Sequence, residues 1–291
     1  MGVTRAYKSS VFSWLFSDPD TLRELYGALE GIMLPPDVPI RINTLESVLF
    51  SGQMNDISFV IADILVVLVE HQSTINENMP LRLLLYCAEI YKKITNDEDI
   101  YREKKIPLPR PEFIVLYNGT KPYDDKKTLR LSDSYKDASF LGILPGAPPE
   151  LEVIVTVYNI NQGRNKAILQ RCKTLEEYSA FIAKVRECEE AAPGSEKAME
   201  TAIKYCIKHN ILKDFLKLHS KEIINMLLNE WNLDTALKVR GEEAWEEGRE
   251  EGREEGREET AKKALQAGIS PELVQIITGI PMDTIKKLAE Q

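Results

Sequence analysis

Between Val11 and Leu29 apolar residues recur at the spacing of a helix: Val11, Phe12, Leu15 and Phe16, then Leu22, Leu25, Tyr26 and Leu29. Asp18-Pro19 separates the two runs. Asp20 or Thr21 is placed to cap the second, and Gly31 to stop it. Pro35, Pro36, Asp37 and Pro39 make the next stretch a loop. The pattern then turns strand-like. Leu45, Val48 and Leu49-Phe50 suggest one strand, and two more follow over residues 56–61 and 64–72, rich in Ile, Val and Leu. The last is almost wholly apolar, as expected of a strand buried on both faces of a sheet. Residues 78–94 return to helical spacing. Pro80 stands in the first turn, where its missing N–H costs nothing, and Leu83, Leu84, Cys87, Ile90 and Tyr91 share a face.

A basic, proline-broken stretch follows, with Arg102, Lys104, Lys105, Pro107, Pro109, Arg110 and Pro111. Phe113 to Tyr117 reads as a strand closed by Asn118-Gly119, residues 120–150 as polar loop, and Leu151 to Tyr158 as a further alternating strand. This order of elements predicts an α/β fold, a sheet with helices on its faces.

From Lys166 onward the chain turns helical. Leu175, Tyr178, Phe181, Ile182 and Val185 form one face, Ala192-Pro193-Gly194-Ser195 is a break, and helices are expected over about 195–209 and 219–231. The tetrad Glu-Glu-Gly-Arg then repeats from Glu246 to Arg257. Each interior glycine costs a helix about 0.8–1 kcal/mol, against about 0.2–0.5 kcal/mol from each Glu–Arg pair. The repeat is therefore a marginal solvated helix or a flexible charged connector. Gly248, Gly252 and Gly256 on one stripe would let another helix approach closely. In the tail, Ile269, Leu273, Ile276, Ile280, Ile285 and Leu288 are expected to pack together. The tail's spacing resembles a helix-turn-helix, but Asp283, Lys286, Lys287 and Glu290 are a poor base-reading set, so a packing or assembly element is preferred. The expected domains are 1–165 (the sheet), 166–240 (helical), 241–260 (the repeat) and 261–291 (a small helical tail).

The formal net charge of -9 arises mostly from residues 241–260, whose ten glutamates and three arginines leave only -2 for the rest. A near-neutral body neither forbids nor advertises a nucleic-acid substrate. No apolar run is long enough to span a bilayer, and the N-terminus lacks a charged-then-apolar signal pattern, so a cytoplasmic location is expected. Cys87, Cys172, Cys188 and Cys206 are too dispersed for a zinc knuckle and are expected to be reduced packing residues.

The chemistry concentrates around the two central strands. Asp56 opens one, Glu70 closes the next, and Gln72 shares Glu70's face because strand side chains alternate. Two carboxylates converging from rigid strands suit Mg²⁺, a hard cation that takes one or two carboxylates and keeps its waters. Phosphodiester hydrolysis uses such an ion to activate water and to stabilise the leaving oxygen. The geometry carries a condition. A two-residue turn at Ala62-Asp63 would pair position 56 with 69 and put Asp56 on the wrong face, so the loop must be odd in length or bulged. Asp63 is a turn residue in this reading.

The segments Asn55-Asp56-Ile57-Ser58-Phe59, Leu68-Val69-Glu70-His71-Gln72-Ser73-Thr74 and Asn78 to Tyr86 resemble the bacterial Rpn family, recombination-promoting nucleases also described as transposases, of the PD-(D/E)XK superfamily. The resemblance extends to Tyr7-Lys8, Val11-Phe12, Phe113 to Gly119, Val157 to Asn161 and the Glu-Glu-Gly-Arg repeats. It implies a restriction-endonuclease-like mixed sheet flanked by helices, followed by an all-α region. It also implies Mg²⁺-dependent DNA cleavage linked to recombination.

Asp56 and Glu70 match the family's metal-binding acids, with the main-chain carbonyl of His71 assisting. Gln72 stands where many superfamily members have lysine. It can orient a water but cannot neutralise charge, and Arg82 on the next helix could supply the missing cation. Many members carry an acid near the first helix, where this chain has Ser9 and Ser10; Asp18 or Glu46 could compensate. The expected activity is a DNA endonuclease, self-assembling through its C-terminal helices. The alternative is a degenerate nuclease fold that binds DNA or a protein.

Overall fold

The computed structural model describes residues 11–42, 57–95, 98–137, 139–141 and 148–289. The expected strand over 45–50 lies outside them. Val11–Leu15 forms α1 and Pro19–Glu30 forms α2. The cap of α2 is Asp18, whose Oδ1 accepts from Asp20 N at 2.8 Å, and not Asp20 or Thr21. Pro19 sits in the first turn, where its fixed φ suits the helix, so the cap is the residue just before it.

Ile40–Ile42 (β1), Ile57–Ile61 (β2) and Leu65–Gln72 (β3) form an antiparallel meander. Met79–Ile94 is α3. Arg110–Tyr117 (β4) runs parallel to β3, and Ile154–Asn159 (β6) runs parallel to β4. Lys126–Arg130 (β5) lies antiparallel on the outer side of β6. Among the described residues the six strands make one mixed sheet, in the order β1-β2-β3-β4-β6-β5. β5 corrects the reading of residues 120–150 as loop throughout: it is an edge strand with a single buried side chain, Leu129.

The register divides the sheet into two faces. Val60, Val66, Leu68, Val115, Tyr117, Val155 and Val157 share one core with Met79, Leu83, Tyr86 and Ile90 of α3. The opposite face packs under the N-terminal helices and under α5 (Lys173–Ala191), which follows the short α4 (Lys166–Leu169). There Tyr26 meets Phe59 edge-on at 6.4 Å, and Phe12 lies against both His71 and Tyr178.

Glu196–Lys208 is α6 and Lys213–Gln266 is α7, whose helical dihedrals break at His219. The Glu-Glu-Gly-Arg repeat thus lies within a helix. Pro271–Thr278 (α8), capped by Ser270 and ended by Gly279 at φ 70°, and Met282–Ala289 (α9) complete the chain.

The chain divides into two compact units, Met1–Asn229 and Glu230–Gln291. The second has a small core of Ala261, Val274, Ile280 and Ile285, with Ile269 and Leu288 against it. This corrects the expected tail packing. Leu273 and Ile276 are exposed, at 51% and 79%, and Val274 takes the inward position. With apolar residues on both sides of so short a helix, periodicity does not choose the face. All four cysteines are free thiols, and Cys87, Cys172 and Cys206 are buried.

Candidate active site

The β2–β3 hairpin sets the register of the site. Ala62 and Asp63 both take positive φ, 51° and 57°, and Ile64 N donates to Ile61 O at 3.0 Å. Pairing then resumes at Ile61 with Leu65, leaving residues 62–64 as a three-residue loop, and runs back to Ile57 opposite Val69. The loop is odd in length, as the sequence argument required. Asp63 is a turn residue in contact with Arg41.

On the face covered by α3, Ser58 and Val60 stand opposite Leu68 and Val66, so alternation puts Glu70 and Gln72 on the same face. Glu70 is 3% exposed. Arg82, one turn into α3, reaches its Oε2 through Nη2 at 3.3 Å and also donates to Tyr86 OH at 3.2 Å. Gln72 Nε2 lies 2.7 Å from Met79 Sδ, which Arg82 Nη1 also faces at 3.5 Å. Helical spacing places Met79, Arg82 and Tyr86 on one side of α3, so a single helix turn roofs both strand residues. A small cleft opens beside them at the strand ends, lined by Gln72, Thr74, Asn76, Met79, Tyr117 and Tyr123 among others.

His71 points the other way. Its ring stacks on Phe12 at 4.8 Å and its Nε2 lies 3.1 Å from Tyr178 OH. Burial, reinforced by the nearby Arg186 charge, pushes its pKa down to about 3, so the imidazole is neutral near pH 7.

Glu70, Gln72 and Arg82 are therefore brought together. Asp56, Ser9, Ser10 and Glu46 lie outside the described residues. Asp18 is spent as a helix cap. The basic stretch ending at Arg110 enters β4 beside the hairpin tip, where Arg110 N donates to Ile64 O at 2.8 Å. It is thus at the opposite end of the sheet from Gln72. No group of three or more His, Cys, Asp or Glu suited to a metal occurs among the described residues.

Sequence reasoning assigned no role to a polar network at the carboxyl ends of β3, β4 and β6. Asn118 N donates to Gln72 O at 2.8 Å. Asn161 Nδ2 donates to Gly119 O at 3.0 Å and to Asn159 Oδ1 at 2.9 Å. Arg186 of α5 donates through Nη1 to Asn118 Oδ1 at 3.0 Å and Asn161 Oδ1 at 2.9 Å, and through Nη2 to Asn118 O. Gly119 is required here: a Cβ on it would meet Ser73 O at 2.1 Å and the Tyr117 ring at 2.6 Å. The Asn118-Gly119 and Asn159-Ile160-Asn161 runs were a usable signal. Arg186, one cation on an amphipathic helix, gave none.

The fold and site define an α/β protein with a buried carboxylate, a carboxamide and an arginine gathered near the carboxyl edge of its sheet. Residues 47–171, from before β2 through α4, match the family described as "Putative transposase, YhgA-like", in agreement with the sequence resemblance. No curated protein matches the chain, and no solved structure does. No helix among the described residues is long and apolar enough to cross a membrane.

Proposed function

We propose that the chain is a Mg²⁺-dependent DNA endonuclease, hydrolysing phosphodiester bonds in a role linked to recombination or transposition. The observation that carries this reading is the β2–β3 hairpin. Its three-residue loop brings the pairing to Ile57 opposite Val69, the register that two carboxylates at positions 56 and 70 need in order to share a face. The match to a transposase family supports a DNA substrate. The helices after Lys166 are the proposed self-assembly region.

The donors available suit a hard cation. Glu70 offers carboxylate oxygens fixed on a strand, and strand carbonyls such as that of His71 are oxygen donors too. Asp56, Glu70 and the His71 carbonyl would hold the metal. When bound, Mg²⁺ supplies an activated water and stabilises the leaving oxygen. The chain's own groups do the rest. Gln72, neutral and anchored against Met79, orients a water without changing the local charge. Arg82, 3.3 Å from Glu70, supplies the positive charge that a lysine at position 72 would have brought. α3 shields these groups from bulk solvent and so strengthens their electrostatics.

The Glu70–Arg82 ion pair also favours a second reading, a degenerate nuclease fold in which arginine neutralises a buried carboxylate and the protein only binds DNA or a protein partner. Plasmid nicking with Mg²⁺, Mn²⁺ or EDTA, on wild type, Asp56→Ala and Glu70→Gln, separates the two. The endonuclease requires metal-dependent nicking that both substitutions abolish.

A further inference from the structure

Among the described residues, the hydrogen bonds of Arg186 all go to neutral groups. Its three bonds end on the Asn118 side chain, the Asn118 carbonyl and the Asn161 side chain. Among the described residues no carboxylate pairs with it. Burial already lowers its pKa from the usual value, the sign of a cation short of compensation. The three bonds use both Nη1 hydrogens and one of Nη2. A guanidinium has five N–H groups, so Nε–H and the second Nη2–H remain without a partner among the described residues. These two lie along one edge, the fork that grips a carboxylate or phosphate through parallel hydrogen bonds.

A second observation points the same way. Asn118 is 1% exposed, and its Nδ2 is buried without a hydrogen-bond partner among the described residues. That nitrogen belongs to the amide whose oxygen Arg186 already holds. The asparagine that holds the guanidinium thus keeps an unused donor of its own, and a buried donor left unpaired is costly. Both stand where β3, β4 and β6 end together, the side of an open α/β sheet on which ligands bind. Asn118 N is bonded to the carbonyl of Gln72, so this position shares the carboxyl end of the sheet with the candidate active site, Arg186 approaching from α5 and Arg82 from α3.

We infer that Arg186 and Asn118 form an oxyanion-binding position for a backbone phosphate of nucleic acid, at the same end of the sheet as the Glu70–Gln72–Arg82 cluster. The oxyanion chemistry stands on the donors alone; its assignment to a phosphodiester rests on the proposed function. Asn118→Asp tests it with little change of shape, because the new carboxylate becomes the internal partner of Arg186 and fills the position. Arg186→Lys is the second variant, keeping the charge and removing the fork. Asn210→Asp, at an exposed site, controls for one added negative charge.

Thermal unfolding is followed in EDTA at fixed ionic strength as inorganic phosphate replaces chloride. Wild type and Asn210→Asp should gain about 2 °C or more at saturating phosphate. Asn118→Asp should show no gain, and Arg186→Lys a much reduced one. A short DNA duplex, titrated without metal, should bind Asn118→Asp about tenfold more weakly than Asn210→Asp. Equal phosphate shifts in wild type and both site variants would overturn the oxyanion position. A phosphate response with unchanged duplex binding would overturn its assignment to nucleic acid. Neither readout needs cleavage, so loss of the nuclease reading leaves this result standing, and the converse also holds.

Discussion

Replacing Arg82 by methionine takes away the cation that Glu70 faces at 3.3 Å while keeping most of the apolar stem. Glu70 is 3% exposed and the Arg82 side chain 25%. Removing one partner of a fully buried pair costs about 3–5 kcal/mol. Water reaching the partly exposed arginine position offsets some of that, so about 2–4 kcal/mol is expected here. For a unit the size of Met1–Asn229 this lowers Tm by roughly 5–15 °C. Glu70→Gln alone should be close to neutral for stability, since a carboxamide needs no counter-charge, and it would remove the metal-binding carboxylate. The double variant Arg82→Met/Glu70→Gln should recover most of the loss, a coupling of about 1–3 kcal/mol. Urea unfolding of the four proteins completes the cycle. An unchanged midpoint in Arg82→Met, or strictly additive effects, would refute the claim that Arg82 neutralises Glu70.

Gly119→Ala places a methyl on the Ser73 carbonyl and the Tyr117 ring, so soluble yield and urea midpoint should both fall sharply; near-native stability would contradict the close approach. Because the His71 pKa is lowered to about 3 from 6.5, the unfolded chain binds the extra proton first. Its contribution is complete above about pH 6.5 and is lost as pH falls toward 3, so His71→Gln should flatten that limb of the stability–pH curve. A thiol reagent should label Cys188 before the three buried cysteines, two of which, Cys172 and Cys206, are also held well above the ordinary thiol pKa by burial. Ile276→Ser should leave the second unit's stability unchanged while Val274→Ser unfolds it, as read by proteolysis.

The central strands were legible because burial on both faces demands an unbroken apolar run, and β3 has one. α3 was legible from its spacing and Pro80. β5 was hidden because an edge strand buries only Leu129, leaving Lys126, Lys127 and Arg130 to read as loop. The length of α7 was hidden for a different reason. Its three repeat glycines argue against a helix locally, while pairs such as Glu259–Lys263 at 2.7 Å and Arg249 over the Trp245 ring support one. In the candidate site, Glu70 and Gln72 followed from alternation and Arg82 from helical position. The odd hairpin loop could be stated as a requirement but not read, since Ala62-Asp63 looks like a two-residue turn and Ile64 like the start of a strand. Arg186 and its asparagine partners come from three distant segments, which no local pattern joins.

The most direct test is supercoiled-plasmid nicking by purified wild-type protein beside Glu70→Gln, which should fold as well as wild type. Wild type should nick with Mg²⁺ or Mn²⁺ and stop with EDTA, and Glu70→Gln should be inactive under every condition. Nicking that persists in EDTA, or in Glu70→Gln, would contradict the metal-dependent endonuclease, and a folded wild type that binds DNA without cutting it under any metal would leave the degenerate binding module in its place.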